Sequence, residues 1–130
     1  MNVSFERRTA MMLLRHLGRR PAPGAKTDRN VQVIAARGHL FFLNYHTTAG
    51  CEALVLEPGA FSIQRALLER VLRSFDKKEI ILLEADDRRL RIGRFSCSVT
   101  RFEAKPEPPA QFESFTGALR LQGEGPKTMR

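Results

Sequence analysis

Apolar and polar positions along the chain pass through the same order of periods twice. Apolar residues recurring at i, i+3, i+4 and i+7 mark a helix, and short alternating or continuous apolar runs bounded by turn residues mark strands. "NVSF" reads as a strand. "RRTAMMLLRHLGRR" reads as a helix with Ala10, Leu13, Leu14 and Leu17 on one face, ended near Gly18 and Pro21. "PAPGAKTDRN" is a loop, "VQVIAA" and "LFFLNYH" are strands, "TTAG" is a turn, and "CEALVL" is a further strand. Then "AFSI" is a strand, and 65–75 is a helix with Leu67, Leu68, Val71, Leu72 and Phe75 on its apolar arc. "EIILLEA", "LRIG" and "FSCSVTRF" close the series as strands, with "DDRR" as a turn.

The series is strand, helix, three strands, and then the same again, so a repeat of sequence is expected beneath it. "VSFERRTAMMLLRHL" (3–17) laid on "FSIQRALLERVLRSF" (61–75) keeps a constant offset of 58. Ser4 meets Ser62, Arg7 meets Arg65, Leu14 meets Leu72 and Arg15 meets Arg73, and the apolar pairs Val3/Phe61, Phe5/Ile63, Leu13/Val71 and Leu17/Phe75 agree. The predicted fold is α+β: two βαβββ halves related by a pseudo-two-fold axis, their two helices side by side on one face of antiparallel sheets.

Charge changes this picture by where it lies. The formal net charge is +8; residues 1–102 hold 18 Lys+Arg against 10 Asp+Glu, and residues 103–130 hold four of each. The excess belongs to a folded unit at 1–102, and 103–130 reads as a proline-rich linker and tail. On the first helix Arg8, Arg15 and Arg19 fall within roughly 40° of arc. Arg70, Arg73 and Lys77 cluster within roughly 60° on the second, where Arg65 and Glu69 share the polar arc. A solvated polar face accounts for one such helix. Two symmetry-related helices with positive outer arcs point to an anionic partner, nucleic acid first and an acidic membrane surface second.

Taken together, the plan and the text of "GAFSIQRALLERVLRSF" and "IILLEADDRRLRIGRFSCSV" resemble the domains of DNA sliding clamps over about residues 2–102. The resemblance implies that the helices face duplex DNA and that Arg8, Arg15, Arg19, Arg70, Arg73 and Lys77 meet phosphates without reading bases. It implies a processivity or DNA-replication or repair accessory factor with polymerase or repair proteins as partners. Clamp subunits carry two or three such domains in a six-domain ring. One domain per chain therefore implies several copies, partner subunits, or no ring. Edge strands 51–56 of one copy and 95–102 of the next are the expected contact of a head-to-tail assembly. Arg88, Arg89, Arg91, Arg94 and Arg101 depart from the family, whose members are acidic away from the channel. The alternative is an adaptor that keeps the fold, forms no ring and binds protein or peptide partners.

Other chemistry is thin. His39 and His46 are an odd number of residues apart in one expected strand, hence on opposite faces and unsuited to a shared metal. Asp86 and Asp87 fit a hairpin turn. Cys51 and Cys97 read as reduced, inert strand residues, without the partners of a zinc site. No phosphate-cradling glycine motif, catalytic constellation, signal peptide or apolar run of membrane-spanning length is present, so a cytoplasmic non-enzyme without cofactor is expected. In the tail, Gln111, Phe112 and Phe115 of "QFESF" vaguely resemble clamp-binding peptides, but packing of the tail on its own domain is the stronger expectation.

Overall fold

In the computed structural model residues 1–18, 30–44 and 47–114 are described. Strand β1 (Asn2–Glu6) runs directly into helix α1 (Arg7–His16), and β2 (Asn30–Ala36), β3 (His39–Leu43) and β4 (Thr48–Glu52) follow. After β5 (Leu54–Glu57) the order repeats as β6 (Gly59–Gln64), α2 (Arg65–Arg73), β7 (Ile80–Ala85), β8 (Arg89–Ile92) and β9 (Phe95–Ser98), and β10 (Thr100–Glu103) and β11 (Glu113–Ser114) complete the described elements. This is the expected α+β plan of two βαβββ halves.

The halves exchange their first strands. One sheet runs β5-β1-β7-β8-β9 and the other β10-β6-β2-β3-β4-β11, so β1 lies against the meander of the second half and β6 against that of the first. The registers superpose across the pseudo-two-fold. Val3 pairs with Leu83 and Phe5 with Ile81, as Phe61 pairs with Val33 and Ile63 with Val31. Leu40 opposite Cys51 has its counterpart in Leu90 opposite Cys97. The two cysteines, without meaning in the linear text, occupy equivalent places.

Helices of 10 and 9 residues are too short to persist alone. Their apolar faces, with Leu13, Leu14, Leu68 and Leu72 buried, join Val3, Phe61, Leu83 and Ile92 in one core. Gly18, at φ +82, ends the first helix, as its left-handed backbone would strain any other residue.

Several expectations are corrected. "TTAG" is not a turn: Thr48–Glu52 is β4, in which Ala49, Gly50 and Cys51 are buried. The turn lies earlier and is built on Asn44, whose Oδ1 accepts the Thr47 N–H at 2.8 Å while its Nδ2 donates to the Leu17 carbonyl at 3.0 Å. The stretches 51–56 and 95–102 are not single edge strands. Each divides, at Ala53 and at Val99, and passes from one sheet to the other. The crossings are equivalent too: the Ala53 N–H donates to the Gly38 carbonyl and the Val99 N–H to the Arg88 carbonyl. The continuous apolar text of 53–56 hid the first crossing, because Leu54 and Leu56 face solvent, 61% and 68% exposed.

The edges differ accordingly. β5 and β9 end the five-stranded sheet, whereas β4 is covered by β11, parallel to it through Glu113 opposite Ala49 and Ser114 opposite Gly50. Phe112 packs edge-on against Phe41, centroids 4.8 Å apart, and His39 stacks on Phe41 at 5.7 Å. Gly50 makes room for both phenyl rings: a Cβ there would meet Phe41 Cδ1 at 2.7 Å and Phe112 Cδ2 at 2.9 Å. The start of the tail thus packs on its own domain. Arg19, His46, Phe115 and the rest of the tail, 116–130, lie outside the described residues.

Candidate nucleic-acid interface

The two helices are antiparallel neighbours, and arginine side chains fix them so. Arg7, at the start of α1, donates from Nε to the Leu72 carbonyl near the end of α2 at 3.1 Å. Arg65, at the start of α2, donates from Nη2 to the Leu14 carbonyl near the end of α1 at 2.7 Å. Both carbonyls belong to the last helical turn, where donors within the helix run out; that of Leu72 also accepts the Phe75 N–H at 3.2 Å. Arg65 is therefore half-buried between the helices and does not stand on the outer arc where the sequence placed it.

The remaining basic residues face outward. Arg8, Arg15, Arg70 and Arg73 are exposed, as is His16 beside Arg15. Lys77 is exposed but lies past the end of α2, in the turn that leads to β7. Arg15 and Arg73 occupy equivalent positions on the two helices. Arg70 corresponds to the exposed Met12, and Arg8 to Ala66, so the face is symmetric only in part. Arg73 forms an ion pair with Glu69 one turn earlier. Arg15 and His16, like Arg70 and Arg73, stand in the last turn of their helix, where the macrodipole favours cations. Neither first turn carries an acidic residue. The face can supply positive charge.

The other candidates resolve into structure. The Asp86 carboxylate accepts the N–H groups of Arg88 and Arg89, each at 2.8 Å, closing the β7–β8 hairpin. Those two bonds hold its carboxyl below the ordinary range. Burial pushes the Cys51 thiol up to about 12 and raises that of Cys97 as well, which keeps both protonated at neutral pH. Among the described residues no group of three or more His, Cys, Asp or Glu side chains is placed to hold a metal. No described helix is long and apolar enough to cross a membrane. The signal for the bridging role of Arg7 and Arg65 was in the sequence, as an identity at one repeat position, but it could not be told from the identity of Arg15 and Arg73, which stay outside.

No family model matches the chain, and no curated protein does. Solved structures do. A DNA polymerase sliding clamp from Caulobacter crescentus is similar over 85% of this chain at 18% identity and a TM-score of 0.58. The Helicobacter pylori beta clamp bound to a DNA ligase peptide is similar over 85% at 17% identity and 0.63. The DNA polymerase III beta subunit of Pseudomonas aeruginosa is similar over 85% at 17% and 0.59. The chain covers 32%, 34% and 32% of these proteins, about a third of each. The fold is that of a sliding-clamp domain.

Proposed function

We propose that this chain is a single clamp-like domain that binds duplex DNA without sequence preference, as a non-enzymatic, cytoplasmic accessory factor in DNA replication or repair. The observation that supports this best is the pair Arg15 and Arg73: equivalent residues, both exposed, on adjacent antiparallel helices whose inward-turned Arg7 and Arg65 are already engaged. Arg8, Arg70 and Lys77 extend that surface, and Arg19 belongs to the same arc by sequence. Contacts of this kind neutralise phosphates and release counterions, so affinity falls steeply with salt, and nothing in them would arrest a protein that slides.

The test is the variant Arg15→Glu, Arg73→Glu, measured for duplex binding by fluorescence anisotropy across a salt series. Wild type binds with a steep salt slope; the double variant binds far more weakly and with a shallower slope, at unchanged thermal midpoint. Equal binding at equal salt rejects this reading.

Head-to-tail self-association through the stretches 51–56 and 95–102, with polymerase or repair proteins as further partners, is the assembled form of the same proposal. At the β4 end of the first stretch, Glu113 and Ser114 stand beside Ala49 and Gly50 and would have to give way to a longer pairing. That partly covered edge favours the second reading, an adaptor that does not form a ring and meets its partners by other surfaces. Mass in solution for the full chain and for a chain ending at 110 separates the two: the first reading has the shortened chain associate, the second keeps both monomeric.

A further inference from the structure

We infer that the open edge of β9 is a docking site for an extended segment of another protein, acidic and apolar at alternate positions, added as one more strand of the five-stranded sheet. This surface is separate from the helix face and does not rest on DNA binding.

β9 is the end strand of its sheet and is paired only with β8 among the described residues. Its counterpart β4 is covered by the chain's own β11. An edge strand offers a row of main-chain donors and acceptors to any chain that can lie alongside. The phase of that row follows from Val99, whose N–H points back to the Arg88 carbonyl at 3.4 Å. Antiparallel pairing alternates inward and outward groups, so Ser98 and Ser96 turn theirs outward.

The side chains around this edge specify the guest. Ser96 and Ser98 are exposed and short, and stand opposite Arg91 and Arg89 of β8. Over those short stubs the Arg89 guanidinium reaches toward the edge, its Nη1 donating to Ser96 Oγ at 3.0 Å. Arg88, Arg94 and Arg101, all exposed, stand at the two ends of the strand. Glu84 lies 3.9 Å from Arg91, and Asp86 is engaged by main-chain N–H groups. Arg88, Arg89, Cys97 and Ser98 line a depression of about 200 Å³. On the other face of β9 the half-buried Phe95, Cys97 and Val99 offer apolar surface. A strand laid here meets guanidinium groups with one set of alternate side chains and apolar surface with the other. Carboxylates suit the first set, since arginine pairs with them through parallel hydrogen bonds. The outward main-chain row favours a peptide over a nucleic acid, because strand addition uses it and a duplex does not.

The probe is a fluorescein-labelled decapeptide of alternating glutamate and valine, with alternating lysine and valine as control, titrated with the full chain at low salt. The acidic peptide binds at least tenfold more tightly than the basic one, and the amide signals of Ser96 and Ser98 shift on binding. Ser98→Pro removes an outward donor and no ladder bond, a substitution that edge strands tolerate. It weakens the acidic peptide at least tenfold while the dispersion of the amide spectrum is kept. Arg89→Glu with Arg91→Glu does the same, and Arg15→Glu with Arg73→Glu leaves the peptide affinity unchanged. Equal affinity for the two peptides overturns the inference, and so does undiminished binding by a folded Ser98→Pro. A loss of duplex binding without loss of peptide binding in Arg89→Glu, Arg91→Glu makes this a nucleic-acid surface and overturns it equally.

Discussion

Arg65 donates to the Leu14 carbonyl at 2.7 Å, and the equivalent Arg7 donates to the Leu72 carbonyl at 3.1 Å. Each half thus closes the last turn of the other half's helix. Replacing either arginine by methionine keeps much of the stem packing and leaves a helix-end carbonyl without this donor. Charged hydrogen bonds contribute about 1.5–3 kcal/mol when buried, and these are half-exposed, so a loss of about 1–2 kcal/mol each is expected. The sites are at opposite ends of the helix pair, so the double variant loses the sum to within about 0.5 kcal/mol. Urea titration checks this, and duplex binding by Arg7→Met stays near wild type.

Glu69 holds Arg73 on the helix face. Glu69→Gln removes a negative charge and releases a cation toward phosphate. Duplex affinity rises by roughly two- to fivefold near 0.1 M salt, and the difference shrinks as salt screens it. A decrease in affinity would place the DNA elsewhere.

Two glycines of positive φ separate strain from crowding. Gly38, at φ +76, has open space where a Cβ would stand, with nothing within 4 Å, and Gly38→Ala loses about 1–2 kcal/mol from backbone strain alone. Gly93, at φ +58, faces Phe75, whose Cε1 would lie 2.6 Å from a Cβ there. Gly93→Ala therefore loses about 2–4 kcal/mol, and adding Phe75→Ala relieves the crowding and leaves the strain. Thermal or urea unfolding of the three variants gives the order.

Cys51 is protonated in the fold up to about pH 12, against an ordinary thiol value of 9.0. Below about pH 9 both folded and unfolded chains keep the proton. Above it the unfolded chain releases the proton first, so stability falls as pH rises. Cys51→Ala removes that part of the slope, about 1 kcal/mol between pH 8 and pH 10. In the native chain Cys97, half-buried, is alkylated before the buried Cys51.

Phe112 anchors the segment that covers β4. Phe112→Ala exposes the amide of Gly50, which faces β11, to hydrogen exchange, leaves that of Ala49, which faces β3, protected, and lowers stability by about 1–2 kcal/mol, without loss of the core. Unchanged exchange at Gly50 would mean that Glu113 and Ser114 hold the edge without the ring.

The halves, the helices and their apolar faces were legible because periodicity reports burial, and Leu13, Leu14, Leu68 and Leu72 are buried as their spacing demands. The crossings at Ala53 and Val99 were not, because a strand that leaves one sheet for another keeps an extended backbone and changes only its neighbours. "TTAG" carried turn residues inside a strand, since Gly50 answers to the rings of Phe41 and Phe112 and not to a turn. At the basic face, the outward direction of Arg15 and Arg73 followed from helical spacing. The inward reach of Arg7 and Arg65 depends on the partner helix, which no single segment encodes.

The exchange of first strands sets a timetable for synthesis. β1 leaves the ribosome early, but its ladder partners Ile80–Ala85 and Leu54–Glu57 come later, and the meander that completes its sheet comes last. At ~5–20 residues per second, the 73 residues between β1 and β7 take roughly 4–15 seconds. During that interval Val3 and Phe5 have none of their final neighbours on β7, so the first half cannot mature as a unit. A nascent chain arrested before residue 80 should remain sensitive to protease and prone to take a matching strand from another ribosome's product, whereas one released past residue 103 should close on itself.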